Sequence, residues 1–317
     1  MGRSSERSLT SAGGVTQPRH IRPNATYAIC RRVEGRRYLL RPDAAMSALF
    51  TWVLAVTAPA FGVEVHVATV MSTHFHLVVT VPDESVSDFM HRLDLRLAKA
   101  LQVLRRFVKG VVWAPGQLSI VELVTTEAVV EAIAYAIVNP VKAGLVYAAA
   151  DWPGVTAAAA DIGERVLSAT KPTFYFTGKQ WAAEASLRLT LPPCLRALGD
   201  DERARGLIAA EVEIQEAAAR KYVKEQRWNV WGRHAVMSVS PYRHAKSWEA
   251  IGKLSPHIAA GRGQAAARLA AIAELKEFRA AHRAAKERWI AGDRDVVFPP
   301  GTYWMRVHHG ARVASFD

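Results

Sequence analysis

The alternation of apolar and polar residues predicts several short strands in the first half of the chain. Residues 25–33 and 36–41 have strand-like composition and flank Glu34-Gly35, which favours a β-hairpin with arginines clustered near its tip. Residues 65–82 form a β-branched, apolar run that we interpret as a pair of buried strands. A further strand is expected at residues 118–124.

Helices are expected between these strands, where apolar residues recur at three- and four-residue spacing. The first helix spans residues 43–58 and begins at an aspartate N-cap. The second spans residues 85–109 and carries a basic polar face. The third spans residues 126–138, with Thr126 as N-cap and an end before Pro140.

This order of elements predicts an α+β fold, with a ferredoxin-like antiparallel sheet and flanking helices. We assign residues 1–18 to a flexible basic tail and residues 19–155 to the sheet domain. Residues 156–317 form a mainly helical C-terminal extension of unknown role.

The extension carries no motif that can be connected to chemistry. Helices are expected at residues 201–227 and 263–291, from their apolar spacing. Strand-like runs occupy residues 174–179, 186–192 and 296–307.

The composition is globular, with 50% hydrophobic and 22% charged residues. We identify no uncharged apolar run of 18 residues and no signal peptide, so we expect no membrane span and a cytoplasmic location. The formal net charge is +12, and residues 1–41 hold nine arginines against two glutamates. Such density favours a nucleic-acid partner, because phosphate contacts release counterions, although solubility or a membrane surface are alternatives.

The candidate DNA contacts are the basic residues of the predicted hairpin and of the second helix. A solvated polar face is the alternative interpretation for the helix. These candidates are Arg31, Arg32, Arg36, Arg37, Arg92, Arg96 and Lys99.

Two histidines, His74 and His76, lie two residues apart within the apolar run of residues 65–82. Side chains at i and i+2 of a strand point to the same face, so the two imidazoles would stand side by side. They could hold a divalent metal ion, or they could be ordinary hydrogen-bonded or solvent-facing histidines. The pair alone does not decide between these roles.

Tyr135 supplies a candidate nucleophile, four residues before Asn139 and on the same helix face. If this face packs against the histidine strand, His74, His76 and Asn139 form a partial coordination sphere for a divalent ion. The phenol oxygen of Tyr135 could then attack a polarised phosphodiester and form a covalent phosphotyrosine. The alternative is a packed helix phenol.

Two segments resemble a known family at its own spacing. MSTHFHLVV, followed by the basic helix and AYAIVNPVKAGLV, resembles the single-tyrosine HUH transposases, in particular the REP-associated tyrosine transposases. The resemblance covers residues 20–155 and implies that Tyr135 is the nucleophile and that His74, His76 and Asn139 contact the metal. Ser72 and Thr73 depart from the Pro and Asn that relatives usually carry before the first histidine, which puts the presenting turn in question.

The resemblance implies a Mg²⁺- or Mn²⁺-dependent enzyme that binds hairpin-forming single-stranded DNA. Such an enzyme cleaves the strand to a 5′-phosphotyrosine and a free 3′-OH and then rejoins it. The resemblance also implies a homodimer, in which the tyrosine helix of one subunit can serve the histidines of the other. Two other functions stay open: a domesticated protein that binds DNA hairpins without cutting, and a metal-dependent hydrolase that uses activated water.

Overall fold

A computed structural model describes most of the chain, in three stretches: residues 18–107, 110–246 and 256–316. The chain divides into a larger unit, residues 21–273, and a smaller unit built from residues 18–20 and 274–316. The predicted tail, residues 1–18, lies outside the described residues except for Pro18.

Strands and helices alternate through the described residues and are numbered in chain order. The strands are β1 (Thr26–Val33), β2 (Glu64–Val70), β3 (His74–Thr80), β4 (Trp113–Leu123), β5 (Val166–Thr170), β6 (Glu184–Arg188), β7 (Ile258–Ala259), β8 (Val297–Phe298) and β9 (Arg312–Val313). The helices are α1 (Ala44–Thr57), α2 (Val86–Leu104), α3 (Thr126–Lys142), α4 (Pro193–Arg196), α5 (Asp201–Glu225), α6 (Gly232–Ser238), α7 (Ala265–Ile290) and α8 (Tyr303–His309).

Five strands of the larger unit form one sheet in the order β2-β3-β1-β4-β7. The four long strands pair antiparallel with their neighbours, and the two-residue β7 pairs parallel with β4. The chain order β1-α1-β2-β3-α2-β4 with this strand order is the ferredoxin-like arrangement. The predicted fold class, an α+β sheet with flanking helices and a mainly helical C-terminal part, is confirmed.

The two faces of β3 meet different helices, as strand alternation requires. Phe75 is fully buried, and its ring centroid lies 5.2 Å from that of Phe50 on α1. His74 and His76 point to the opposite face, where the ring centroid of His76 lies 5.4 Å from that of Tyr135 on α3. Phe75 therefore lies on one side of the sheet and the predicted histidine–tyrosine pair on the other.

Helix α1 is buried on more than its sheet-facing side. The β5–β6 hairpin packs on it, and Trp52 of α1 donates a hydrogen bond to the Ala182 carbonyl (3.3 Å). The stretch Ala44–Phe61 carries no charge and has a mean hydropathy of 1.6, so our expectation that no such 18-residue run exists is wrong. It is 56% buried within the structure, as a core helix of a folded protein is.

The predicted hairpin of residues 25–41 is wrong in its second strand. Residues 36–41 form no strand: Arg37 makes a single isolated bridge to His244, and Leu39 and Leu40 lie in a turn with both side chains fully buried. Gly35 and Arg36 both have positive φ, at 60° and 52°. Strand β1 pairs with β3 and β4 instead.

Several element boundaries also differ from the predictions. Strand β4 begins at Trp113, five residues before the predicted start, and helix α2 ends at Leu104. Helix α3 is capped by Thr125, whose hydroxyl accepts from the Ala128 amide (3.2 Å), rather than by Thr126. It also continues through Pro140 to Lys142.

The C-terminal half follows its helix predictions and departs from its strand predictions. Helices α5 and α7 match the predicted helices within two residues at each end. Residues 174–179 form no strand, β5 lies where no strand is predicted, and residues 296–307 contain the short β8 followed by α8. One hydrophobic core contains residues from both sides of residue 155. The predicted domain boundary at that residue stays a prediction.

The smaller unit has a compact core of its own. Phe298 is fully buried, and Ala285, Val296 and Ala311 pack with it. His20 stacks on Phe278 of α7, with ring centroids 4.5 Å apart. These apolar and ring contacts hold the described part of this unit together.

Gly144 ends α3 in a conformation that other residues adopt only with strain. Its φ is +66°, its amide donates to the Val141 carbonyl (2.9 Å), and the Leu145 amide donates to the Pro140 carbonyl (3.0 Å), which is a Schellman cap. The cap supplies hydrogen bonds to the Pro140 and Val141 carbonyls and so ends the helix.

We expect Gly144→Ala to lower the free energy of unfolding by about 1–2 kcal/mol, because the left-handed conformation costs roughly that much with a Cβ. Gly206→Ala is the matched control: this glycine lies exposed inside α5, and an added Cβ meets nothing within 4 Å. The control should be stabilised by up to about 1 kcal/mol. Urea unfolding measures both, and equal effects of the two substitutions would contradict the role given to Gly144.

Candidate active site

A cleft of about 730 Å³ opens in the larger unit between the start of β3, the end of α3 and residues 222–246. His74, His76, Tyr135 and Asn139 all line it. The four residues that the sequence selects as nucleophile and metal ligands are therefore brought together.

The imidazoles of His74 and His76 lie side by side at the start of β3. Their ring centroids are 4.8 Å apart and their planes are nearly perpendicular, at 85°. The Thr73 hydroxyl lies 2.9 Å from Nδ1 of His74, and the Asn139 side chain hydrogen-bonds to the same ring. These contacts fix the orientation of the His74 imidazole.

Burial and the nearby positive charge of Arg32 lower the pKa of His74 to about 3, against a smaller raising effect of the Asn139 hydrogen bond. The imidazole is consequently neutral at physiological pH. The neutral ring is the form that binds a metal ion.

The turn that presents His74 is held by the backbone. The Met71 amide donates to the His74 carbonyl (2.8 Å), the Val33 amide to the Thr73 carbonyl (2.8 Å), and the Leu40 amide to the Ser72 carbonyl (3.1 Å). Ser72 and Thr73 thus occupy a turn that backbone hydrogen bonds hold in place. The Thr73 hydroxyl also gives the turn a direct contact with the His74 ring.

Tyr135 lies beside His76 of the same chain, with ring centroids 5.4 Å apart and planes at 86°. Its side chain is 39% exposed, so the ring is open to the cleft. Nζ of Lys142 lies 4.7 Å from the centre of the phenol ring. The arrangement needs no second subunit to bring the phenol next to the histidines.

The periodicity of helix α3 places Tyr135, Asn139 and Lys142 on one side of the helix. Asn139 follows Tyr135 by four residues and is buried, and Lys142 follows by seven, so all three share one side of the helix. The predicted spacing of phenol and carboxamide on one face agrees with this geometry. Lys142 was not selected from the sequence, although the i+7 spacing from Tyr135 was a visible signal.

Positive charge dominates the cleft. Among the described residues that line it, six are lysine or arginine and none is aspartate or glutamate. The six are Arg32, Arg36, Lys142, Arg227, Arg243 and Lys246. A polyanion therefore meets no like charge among the described residues of the cleft walls.

Two of the predicted DNA contacts, Arg32 and Arg36, line the cleft, and Arg31 and Arg37 do not. Arg31 points to the other face of β1, where it pairs with Asp94 (2.7 Å) and stacks over Trp113. Arg37 lies over the Phe107 ring.

The basic residues of α2 also lie away from the cleft. Arg96 donates to the Thr57 hydroxyl (2.8 Å) and lies over the Trp181 ring, while Arg92 and Lys99 are exposed. Helix α2 packs against α1, on the sheet face opposite His74 and His76. A DNA-binding role for these residues stays a prediction.

Tyr135 also borders a second hollow, of about 540 Å³, between α3 and strands β1, β3 and β4. His76 and Arg32 line both hollows. The phenol thus stands at the junction of two open spaces, and an extended chain could pass it from one to the other.

The donor set fits a divalent ion that accepts imidazole. In the part of the chain that the structure describes, no three His, Cys, Asp or Glu side chains are grouped as a metal site. His74, His76 and the Asn139 carboxamide line one cleft and are the side chains that would hold an ion. Imidazole ligands disfavour Mg²⁺ relative to first-row transition ions.

The far side of the cleft was missed by sequence reasoning. It consists of residues 222–246, with the aromatic rings of Tyr222, Trp228 and Trp231 and the charges of Arg227 and Arg243. No local motif marks these residues, because the folding of α5 along α3 is what brings them to the site.

This chain is similar to two transposases of known structure. One is a REP-associated tyrosine transposase bound to a REP hairpin, with 19% identity over 46% of this chain and 84% of that chain, at a TM-score of 0.40. The other is a candidate transposase from Deinococcus radiodurans R1, with 17% identity over 34% of this chain and 85% of that chain, at 0.28. No protein-family model and no curated protein matches the sequence.

We expect the protein to lose stability as the pH falls from 6.5 towards 4. Burial lowers the pKa of His66, which is fully buried between Thr80 and Thr190, to about 4, and that of His74 to about 3. Below pH 6.5 the unfolded chain takes up protons that these rings do not bind in the folded state, so unfolding becomes easier.

The loss should be on the order of 1–2 kcal/mol at pH 5 for a buried histidine such as His66. NMR titration of the imidazole C2 protons checks the cause: both rings should stay neutral at pH 5 in the folded protein and titrate near 6.5 in urea. Protonation of both rings near pH 6.5 in the folded protein would contradict the account.

Proposed function

We propose that the protein is a transposase-like, metal-dependent endonuclease and strand transferase that acts on single-stranded DNA through Tyr135. The observation that carries the proposal is the contact of the Tyr135 ring with His76, beside His74 and Asn139, in a cleft without carboxylates among its described residues. A phenol nucleophile, neutral imidazoles and lysine or arginine side chains are together suited to phosphoryl transfer.

The chemistry of the proposed step is a transesterification. The phenol oxygen of Tyr135 attacks phosphorus and loses its proton, while the bond from phosphorus to the 3′-oxygen breaks and that oxygen leaves as a 3′-OH. The phosphoester is conserved in the phosphotyrosine, so a DNA 3′-OH can reverse the step and rejoin the strand. Lys142, above the phenol ring, stabilises the electron-rich phenolate.

A divalent ion, Mn²⁺ or Mg²⁺, would polarise the scissile phosphodiester when bound. His74 and His76 would hold it, and their perpendicular rings present nitrogen donors from one strand face. Asn139 is the proposed third ligand, because its carboxamide lines the cleft together with both histidines.

The proposed substrate is a DNA strand with a hairpin and an unpaired segment at the scissile phosphate. The hairpin follows from the resemblance of the two sequence motifs to REP-associated tyrosine transposases. The unpaired segment follows from the site, because an exposed phenol between two hollows suits a single strand passing across it. We also propose that the protein is a homodimer and that it is located in the cytoplasm.

We expect a covalent protein–DNA adduct when the protein is incubated with a DNA hairpin that has single-stranded flanks and with Mn²⁺. Because the 5′-phosphate joins the tyrosine, a 3′-labelled strand should enter the protein band on a denaturing gel. A 5′-labelled strand should only become shorter. Chelation of the metal should abolish both products.

Tyr135→Phe should lose the adduct by at least about 10³-fold, because no other group replaces a nucleophile. Tyr147→Phe is the matched control, since Tyr147 is 68% exposed and does not line the cleft. An adduct that persists in Tyr135→Phe would rule out this nucleophile. Tight hairpin binding with no cleavage and no effect of chelator would favour the non-cleaving alternative, and cleavage without an adduct would favour a hydrolase.

A further inference from the structure

We propose that residues 222–246 form a stacking wall for the unpaired nucleotides next to the scissile phosphate. This wall is defined by Tyr222, Trp228 and Trp231, with Arg227 and Arg243 between or beside them. The inference rests on the proposed function, in that it takes single-stranded DNA as the occupant of the cleft. It assigns a role to a part of the C-terminal extension that no sequence motif marked.

Three large aromatic side chains of the wall are exposed in the same cleft. Tyr222 is 45% exposed, Trp228 is 43% exposed and Trp231 is 42% exposed. Tyr222 and Trp228 contact each other edge to face at 5.6 Å, and Trp231 contacts Tyr38 in the same way at 6.0 Å. These edge contacts hold the rings in place, and the exposed remainder of each ring is apolar surface that nucleobases can cover.

The wall is attached to the helix that carries the nucleophile. The Trp231 amide donates to the Gly144 carbonyl (3.1 Å) and the Gly232 amide to the Leu145 carbonyl (3.0 Å). Both acceptors belong to the cap that ends α3, and an atom added at Gly144 would meet the Trp228 ring at 3.4 Å. The aromatic rings therefore keep a fixed position relative to Tyr135.

The charges of the wall select a nucleic acid among the possible occupants. Arg227, Arg243 and Lys246 are exposed, and Arg32, Arg36 and Lys142 line the same cleft. Alternating cations and aromatic rings are the arrangement that binds single strands, because phosphates meet the charges while bases stack on the rings. A duplex keeps its bases paired and stacked on each other, so it cannot use these rings.

The test measures binding of a labelled dT20 oligonucleotide and of a blunt 20-base-pair duplex to full-length protein carrying Tyr135→Phe, so that cleavage plays no part. We expect Trp228→Leu and Trp231→Leu each to weaken dT20 binding about tenfold and to leave duplex binding unchanged. Trp228→Phe and Trp231→Phe should restore most of the affinity, since phenylalanine still stacks. Trp304→Leu is the matched control, because Trp304 is 58% exposed and belongs to the smaller unit.

Salt dependence separates stacking from charge. The tryptophan variants should keep the wild-type slope of log affinity against log salt, whereas Arg243→Gln should reduce the slope by roughly 0.7, the value for one single-strand phosphate contact. Wild-type affinity of both leucine variants for dT20 would overturn the proposal. A reduced slope in the tryptophan variants would overturn it as well.

A second measurement uses the wild-type side chains, so it does not depend on how the variants fold. Photocrosslinking with an oligonucleotide that carries 5-iododeoxyuridine should modify the tryptic peptide WNVWGR, which contains Trp228 and Trp231. Crosslinks confined to other peptides would overturn the proposal. Loss of dT20 binding in the tryptophan variants without any covalent adduct in wild type would support the wall and refute the cleavage, so the two proposals fail separately.

Discussion

The alternation of side chains along β3 is the constraint on which the site depends. Phe75 is buried against α1, which forces His74 and His76 to the opposite face of the sheet. Helix α3 packs on that face and brings Tyr135 to His76 and Asn139 to His74. A register slip of one residue would bury the imidazoles in the apolar core and expose Phe75, so fold and site are specified together.

The end of α3 positions the residues that follow α5. Its Schellman cap at Gly144 and Leu145 stops the helix and offers the carbonyls to which Trp231 and Gly232 bind. Helix α5 packs along α3, with the Gln215 amide donating to the Glu131 carbonyl (3.1 Å) and Arg262 linking Glu131 to Glu211. The extension through residue 246 is thus part of the framework that surrounds the cleft.

Much of the sheet and the central pair of the site could be predicted from the sequence, because both follow from local periodicity. The period of two in β3 and the i, i+4 spacing of Tyr135 and Asn139 are short-range patterns. The failures have long-range causes: residues 36–41 look like a strand, yet Leu39 and Leu40 are buried together by tertiary packing. The aromatic wall could not be predicted, because only the folded chain brings Trp228 and Trp231 to α3.

The most direct test of the central claim is the identity of the residue that becomes linked to DNA. The protein is trapped on a DNA hairpin with Mn²⁺, digested with nuclease and trypsin, and analysed by mass spectrometry. The tryptic peptide that ends at Lys142 contains Tyr135 as its single tyrosine. We expect this peptide to carry a 5′-linked nucleotide on Tyr135; a nucleotide on any other residue would contradict the account.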